Sequence, residues 1–341
     1  MNNSSNTEIS NDGTTTLQRV KFFILLILDI PSIALYLLIF TYILTHRSFL
    51  KTLQNQALLI LLLVNFLEAS GDLPMIINFY RLGHVSPATP GFCTWWTLFD
   101  YILNASSEFV MATISIQRHL LIFNSQMLRI RKKCILFYYL PLLLSLVYPT
   151  LIYLGFILLY TCDGTQWDYN SNLCGLANCY FVYSRVLGTF DWAVDNALPA
   201  VVTFVSDIVL IVRVIWQKRR RQQPISWRKQ RYLTIQLLGI SSLYLFTWLP
   251  NAIFAIIEQL SQSDLAAEIQ SKYVFELIYL ICLLIPWVTI GMISGFHKWI
   301  IEKIRHPLTV HNIVVPQGET LATIQNGNQQ TQFIKNRVTT F

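Results

Sequence analysis

Acidic residues interrupt the apolar stretches of this sequence at positions where a carboxylate is costly to bury. Asp72 and Asp100 each lie within a long apolar run, and Asp191 and Asp195 lie four residues apart in another, so this last pair shares one face of a helix. A carboxylate that leaves water needs a countercharge or strong hydrogen bonds. Several acids near one cavity therefore favour a cationic ligand, although some of them could instead bond to neighbouring helices.

An arginine and a proline motif indicate a second kind of chemistry, a change of conformation. Arg118 lies at the end of an apolar run, where a charge needs a partner, or else a path to the membrane interface. In Thr247-Trp248-Leu249-Pro250 a bulky ring precedes a proline by two residues, and proline kinks a helix by removing a hydrogen bond. Trp248 could therefore transmit ligand contact to the helix, or the kink could simply set its shape.

Catalytic motifs are missing from the sequence. It contains no His-Glu-x-x-His, no paired Gly-flanked Asp motif and no Gly-x-Ser-x-Gly. We therefore expect no enzyme activity, no catalytic residues, no metal site and no cofactor.

Seven long apolar stretches must position the acids, the arginine and the proline motif. They cover residues 22–45, 56–80, 93–123, 134–160, 186–216, 232–258 and 273–296. Each can supply the roughly 20 apolar residues that cross a bilayer core as a helix. Because 54% of the 341 residues are hydrophobic and only 13% are charged, we predict an all-α membrane protein, a seven-transmembrane helix bundle.

Four segments follow from this division of the chain. We predict an extracellular N-terminal tail over 1–21, a transmembrane domain over 22–296, a short amphipathic eighth helix over 297–306 and a disordered cytoplasmic tail over 307–341. The segment from Phe296 to His306 alternates apolar and basic faces at helical spacing, which is typical of a helix that lies on a membrane.

The basic residues are distributed unevenly between the loops. If the N-terminus is outside, 18 of the 25 Lys and Arg lie in the inner loops and inner tail. This positive-inside bias predicts a multi-pass protein of the plasma membrane with an extracellular N-terminus. The net charge of +7 thus reflects topology and attraction to anionic membrane lipid, not binding of nucleic acid.

Four of the six cysteines fall on the predicted outer side, where disulfides persist. They are Cys93, Cys162, Cys174 and Cys179. Four cysteines allow three pairings. A disulfide from Cys93 to the second outer loop would tie that loop to the third span, either as a lid over a pocket or as a plain staple.

The spacing of several of these residues fits one known pattern. Cys93 precedes Arg118 by 25 residues, and Cys179 precedes Pro199 by 20 residues. Together with the Trp-x-Pro motif in the sixth of seven spans, and with Pro286 in the seventh, these spacings resemble the rhodopsin-like (class A) G-protein-coupled receptors. The resemblance covers essentially the whole hydrophobic length of the chain.

The resemblance implies a function and a disulfide pattern. A member of this family binds an extracellular ligand and activates a heterotrimeric G protein. The resemblance further implies that Cys93 pairs with Cys179, with a second disulfide between Cys162 and Cys174. It assigns the conformational switch and the G-protein coupling to Arg118, Trp248, Pro250 and Pro286.

Asp100 is the acid that the resemblance singles out for ligand binding. It lies 18 residues before Arg118, which resembles the position that binds the amine in aminergic receptors. Tyr279, seven residues before Pro286, resembles the tyrosine that usually accompanies it. The resemblance thus implies a cationic amine or a basic peptide as ligand. The convergence of acids on the outer half of the bundle adds Asp72, Asp191 and Asp195 as further candidate contacts.

Several positions depart from the family pattern. Gln117 and Gln230 stand where acids usually restrain the arginine, so we expect raised signalling without ligand unless Asp207, in the fifth span, faces Arg118 instead. Asn65 stands where the family has its sodium-binding aspartate, so a sodium site is not expected. A membrane transporter or channel is the alternative function, but the two halves of the chain show none of the similarity typical of transporters.

Overall fold

The computed structural model describes residues 4–123, 126–160, 162–220, 227–261 and 264–291, together with 293, 295, 296, 299–301 and 303. Over 4–15 and 217–237 it describes the backbone alone. The described part of the chain contains seven long helices, which are α1 (Ser4–Thr45), α2 (Leu53–Leu82), α3 (Pro90–Phe123), α4 (Arg131–Leu159), α5 (Arg185–Trp216), α6 (Trp227–Ser261) and α7 (Lys272–Ile290).

Six helices of the described chain are long and apolar enough to cross a membrane, and α3 is not among them. At 34 residues, α3 has a length of about 51 Å, more than the roughly 30 Å of a bilayer core. Its composition is more polar because it is the central helix, in contact with α2, α4, α5 and α6. Asp100, Glu108 and Arg118 are all buried inside the protein rather than exposed on its surface.

Five π-helical segments occur in the described chain, and two of them, one in α2 and one in α5, carry acids. In α2 the segment is Glu68–Asp72, and in α5 it is Asp191–Ala197. Such segments are rare and occur often at functional sites, because the extra residue in the turn changes the direction of the side chains that follow. All four acids in these two segments, including Asp195, are buried.

The disulfides correct the predicted pairing. Cys93, at the start of α3, bonds to Cys174, and Cys162 bonds to Cys179, so the predicted pairs Cys93–Cys179 and Cys162–Cys174 are wrong. The reason lies in the loop between α4 and α5. Leu173 and Cys174 adopt positive φ values of 48° and 53°, and this tight left-handed turn brings Cys174, five residues before the predicted partner, to Cys93.

The predicted terminal segments lie partly outside the described residues. The helix α1 begins at Ser4, within the predicted tail 1–21, because each added residue of a formed helix gains a backbone hydrogen bond. The chain divides into a unit 1–296 and a unit 297–341. In the second unit the described residues 299–301 and 303 are helical, and the rest of the predicted helix 297–306 and all of 307–341 lie outside the described residues.

Candidate functional site

A narrow cavity lies in the half of the bundle that contains Cys93, which we call the Cys93 half. It is lined by Asp100 from α3, Asp191 from α5, Trp248 from α6, Phe275 and Ile278 from α7, and by Leu176 from the disulfide-bonded loop. The cavity and its mouth contain about 370 Å³ of empty space, but only about 30 Å³ of it admits the centre of a water molecule. Little of the cavity is therefore open to solvent-sized molecules in this structure.

Asp100 is held by neutral donors. Its Oδ1 accepts hydrogen bonds from Asn104 Nδ2 at 2.9 Å and from the hydroxyl of Tyr279 in α7 at 3.3 Å. The pairing of Asp100 with Tyr279 agrees with the contact that the family resemblance implied. Asn104 was missed, although its spacing of four residues from Asp100 on one helix was a usable signal.

Asp191 is held in the same manner by two tyrosines. Tyr153 of α4 donates to Oδ1 at 2.7 Å, and Tyr180 of the loop donates to Oδ2 at 2.9 Å. Asn196 adds a hydrogen bond of 3.0 Å to the backbone carbonyl of Asp191. These tyrosines could not be singled out from the sequence, because hydroxyl donors on other helices leave no spacing signal relative to the acid.

The two other predicted contact acids do not line this cavity. Asp72 accepts a hydrogen bond from the indole nitrogen of Trp96 at 2.8 Å, and Asp195 accepts one from Tyr148 of α4, also at 2.8 Å. Both acids are buried. Ligand contact at Asp72 and Asp195 therefore stays a prediction from the sequence.

A buried ion pair lies in the opposite half of the bundle, which we call the Arg118 half. Nη1 of Arg118 lies 3.4 Å from Oδ1 of Asp207 in α5, and their side chains are 1% and 9% exposed. The side-chain amide of Gln117 donates to the carbonyl of Tyr138 at 2.8 Å. The side chain of Gln230 lies outside the described residues.

The proline motif of α6 connects the two halves of the bundle. Trp248 is buried and lines the cavity, and Pro250 lies inside the helix two residues later. Asn251 bonds to the carbonyl of Thr247 at 3.0 Å and to that of Val274 at 2.9 Å, which ties α6 to the start of α7. A switch role for Trp248 and Pro250 stays a prediction from the sequence.

Residues 36–288 match the family model of the seven-transmembrane receptors of the rhodopsin family. The chain belongs to this family. No protein with a curated description is similar enough to be matched. Membership identifies the chain as a multi-pass membrane receptor of the G-protein-coupled class, in a family whose members are generally not enzymes, and it disfavours the transporter or channel.

In this receptor the hydroxyl of Tyr244 lies next to Asn65. Nδ2 of Asn65 donates to Ser107 Oγ at 2.9 Å and to the hydroxyl of Tyr244 in α6 at 3.3 Å, and the Ser107 and Tyr244 hydroxyls bond to each other. Among the residues that the structure describes, no group of three His, Cys, Asp or Glu could hold a metal ion. Neutral groups thus link α2, α3 and α6 at this point.

Pro286 of the receptor's α7 leaves a carbonyl that another helix satisfies. A proline has no N–H, so the carbonyl of Cys282, four residues earlier, loses its helical donor. The hydroxyl of Tyr36 in α1 donates to this carbonyl at 2.7 Å, and Ser32 donates to the next carbonyl, that of Leu283, at the same distance. The proline of α7 therefore serves as an attachment point for α1.

Glu108 lies between the two halves of the receptor without a partner. It is buried in α3, and neither of its carboxylate oxygens has a hydrogen-bond partner among the residues that the structure describes. A buried polar group without a partner costs about 1–3 kcal/mol in protein variants. Neither the sequence nor the structure explains why a carboxylate is buried at Glu108. In this respect Glu108 differs from the acids that line the cavity, which accept hydrogen bonds.

Proposed function

We propose that this receptor is a seven-helix bundle of the plasma membrane, with α3 as its third span and the N-terminus outside the cell. It binds an extracellular cationic ligand, an amine or a basic peptide, and activates a heterotrimeric G protein. In this orientation the Cys93 half faces outward and the Arg118 half faces the cytoplasm. The positive-inside bias of the loops supports this orientation.

The observation that carries the proposal is that Asp100 and Trp248 line the same cavity. A cation that pairs with Asp100 lies within reach of the ring that precedes the kink of α6. Family membership supplies the general mechanism, in which ligand binding shifts the population between two arrangements of the bundle. A ligand that contacts Trp248 more favourably in one arrangement stabilises that arrangement.

At the cytoplasmic end, the Arg118–Asp207 pair supports a restrained inactive state. Two neutral amides led us to expect weak restraint of Arg118, but a carboxylate lies 3.4 Å from it. In the proposed mechanism, activation separates α3 from α5 at this point, and the freed guanidinium then contacts the G protein. Low signalling without ligand follows from this pair.

A screen of cationic amines and basic peptides on cells that express the chain tests the proposal, with G-protein activation as readout. Asp100→Asn should weaken activation by roughly 30-fold or more, because the loss of a buried charge partner costs at least about 2 kcal/mol. Asp29→Asn is the matched control, since Asp29 is a buried aspartate of α1 that does not line the cavity. Equal activation of Asp100→Asn and Asp29→Asn would show that the assignment of Asp100 is wrong.

A further inference from the structure

Asp72 of α2 lies enclosed in the bundle next to Asp100 of α3. The two carboxyl groups are within hydrogen-bonding distance of each other. Asp72 is 0% exposed, whereas Asp100 is 4% exposed and lines the cavity. An ionised carboxylate can only accept hydrogen bonds, and two negative charges this close in a buried site repel strongly. The two acids therefore hold at least one proton between them.

The surroundings of Asp72 indicate that this acid carries the proton. Its Oδ1 accepts a hydrogen bond from the indole N–H of Trp96 at 2.8 Å, and its Oδ2 has no donor among the residues that the structure describes. Trp96 and Asp100 lie four residues apart on one face of α3, so this face offers one donor and one acceptor. A protonated carboxyl group, with one acceptor oxygen and one O–H donor, matches that face.

The surroundings of Asp100 suit the ionised form instead. Its Oδ1 accepts hydrogen bonds from Asn104 and from Tyr279, and donors of this kind favour the charged form of a carboxyl group. Neither Asp72 nor Asp100 belongs to an ion pair among the described residues. With the proton on Asp72, the two acids together carry a single negative charge.

Other groups close to the two acids add no positive charge. Glu68, from the same π-helical segment as Asp72, is a buried acid, and α7 contributes Tyr279 and Cys282. Asp191 faces the same cavity as Asp100, and the described lining of that cavity contains no Lys, Arg or His. A second negative charge, on Asp72, would therefore be buried without a countercharge, which is unfavourable.

We propose that Asp72 is a neutral carboxylic acid in the receptor and donates a hydrogen bond to the carboxylate of Asp100. The inference rests on the proposed function, because it makes Asp72 a positioning residue for the carboxylate that binds the cationic ligand. Asp72 orients Asp100 and, by keeping its own proton, limits the charge of the two acids to that of one cation.

Infrared spectroscopy of the purified full-length receptor in lipid nanodiscs, without ligand, detects a protonated carboxyl group by its C=O stretch. Carbon-13 labelling of aspartate shifts the bands of aspartic acids and so separates them from those of glutamic acids. Asp72→Asn should remove one aspartic acid band, and Asp163→Asn, at an exposed acid of the loop before α5, should remove none. Retention of all these bands in Asp72→Asn would overturn the inference.

A second variant keeps the test valid if Asp72→Asn fails to fold. Trp96→Phe removes the N–H that bonds to Oδ1 of Asp72, so the C=O stretch of Asp72 should move to higher frequency. Unchanged aspartic acid bands in Trp96→Phe would contradict a protonated Asp72.

The positioning role is measured by calorimetric binding of tetramethylammonium, a cation whose charge does not depend on pH. Asparagine also offers one acceptor oxygen and an N–H donor, so Asp72→Asn should bind within about threefold of the unmodified receptor. Asp72→Leu should bind roughly 10-fold more weakly, because a hydrogen bond to a charged group is lost. Equal binding by Asp72→Leu and the unmodified receptor, or equal losses in both variants, would refute this role.

The infrared bands require no ligand, so they test Asp72 independently of the proposed function. If the Asp72 band is present but cations neither bind nor activate the receptor, the cationic ligand of the proposed function is wrong and the protonated Asp72 is confirmed. If cations bind at Asp100 but the band is missing, the inference about Asp72 fails alone.

Discussion

The Cys93 half and the Arg118 half of the bundle are held together by different means. In the Cys93 half one disulfide joins α3 to the loop before α5, a second disulfide closes a ring within that loop, and hydroxyls and amides orient the acids. In the Arg118 half, the contacts between α3 and α5 are non-covalent and include one ion pair and a hydrogen bond of 2.9 Å between His119 and the carbonyl of Ser206. Covalent bonds keep a cavity in place, so the Cys93 half suits ligand binding. An ion pair can open and reform, so the Arg118 half suits a change of conformation.

The largest effect should come from breaking the ion pair of the Arg118 half. Asp207→Ala leaves Arg118 buried without a carboxylate, which should cost about 3–5 kcal/mol of stability and raise signalling without ligand. Thermal unfolding of the purified receptor and G-protein activation in the absence of ligand measure the two outcomes.

A double variant provides the control for Asp207→Ala. Arg118→Met combined with Asp207→Leu replaces both charges by apolar groups and should recover most of the lost stability, without coupling to the G protein. If Asp207→Ala unfolds at the same temperature as the unmodified receptor, the pair does not hold α3 to α5.

Removal of a disulfide should have the next largest effect and concerns the Cys93 half. Cys174→Ser should cost about 2–4 kcal/mol and leave Cys93 as a free thiol, while Cys162 and Cys179 stay bonded. Maleimide labelling followed by mass spectrometry of peptides identifies the free cysteine.

Cys162→Ser is the matched comparison, since it opens a link of 17 residues instead of 81. It should cost roughly 1 kcal/mol less than Cys174→Ser, because shorter loops restrict the unfolded chain less. Labelling of Cys162 in the Cys174→Ser variant would instead show that Cys162 pairs with Cys174, as the family resemblance implied.

Replacement of Glu108, which takes no part in the hydrogen bonds described for either half, should stabilise the receptor. Glu108→Leu removes a buried carboxylate without hydrogen-bond partners and should raise stability by about 1–3 kcal/mol. Glu108→Gln keeps an unpaired polar group and should gain less. A lower unfolding temperature for both variants would mean that Glu108 has a partner in the working receptor.

The smallest effect concerns an exposed acid of the loop in the Cys93 half. Hydrogen bonds from the Thr165 hydroxyl and backbone N–H lower the pKa of Asp163. Because the folded pKa is depressed, the stabilisation is present above the ordinary pKa of the carboxyl and is lost as the pH falls through the lowered value. Thr165→Val removes the hydroxyl donor, so the pKa should rise toward its ordinary value.

A carbon-13 NMR titration of labelled aspartates measures this change in the intact receptor, with Asp163→Asn to assign the signal. An unchanged titration in Thr165→Val would leave the backbone N–H as the cause of the lowered pKa.

The extent of the helices was predictable from the sequence, because contact with lipid requires long apolar stretches. The predicted stretches 56–80 and 134–160 correspond closely to α2 (Leu53–Leu82) and α4 (Arg131–Leu159). The third stretch was also recognisable, although its helix carries more polar residues. The seven stretches and the motif spacings together led to the family that the match over 36–288 establishes.

The partners of individual side chains were less predictable. Asp191 and Asp195 both meet tyrosines of α4, but only Asp191 lines the cavity, and no periodic pattern distinguishes them within a π-helical segment. The three loop cysteines lie close together in sequence, so the turn geometry decides which one reaches Cys93. For Asp207 the sequence left open whether the side chain faces Arg118. In the structure α5 places the carboxylate of Asp207 next to the arginine.

The hydroxyl of Tyr244 beside Asn65 and Ser107 has a physiological consequence. Where an exchangeable ion links helices, the surrounding salt concentration takes part in setting how readily they separate. Here a covalently attached group links them, and its local concentration never changes. The strength of this contact between α2, α3 and α6 is therefore set by side chains of the sequence itself.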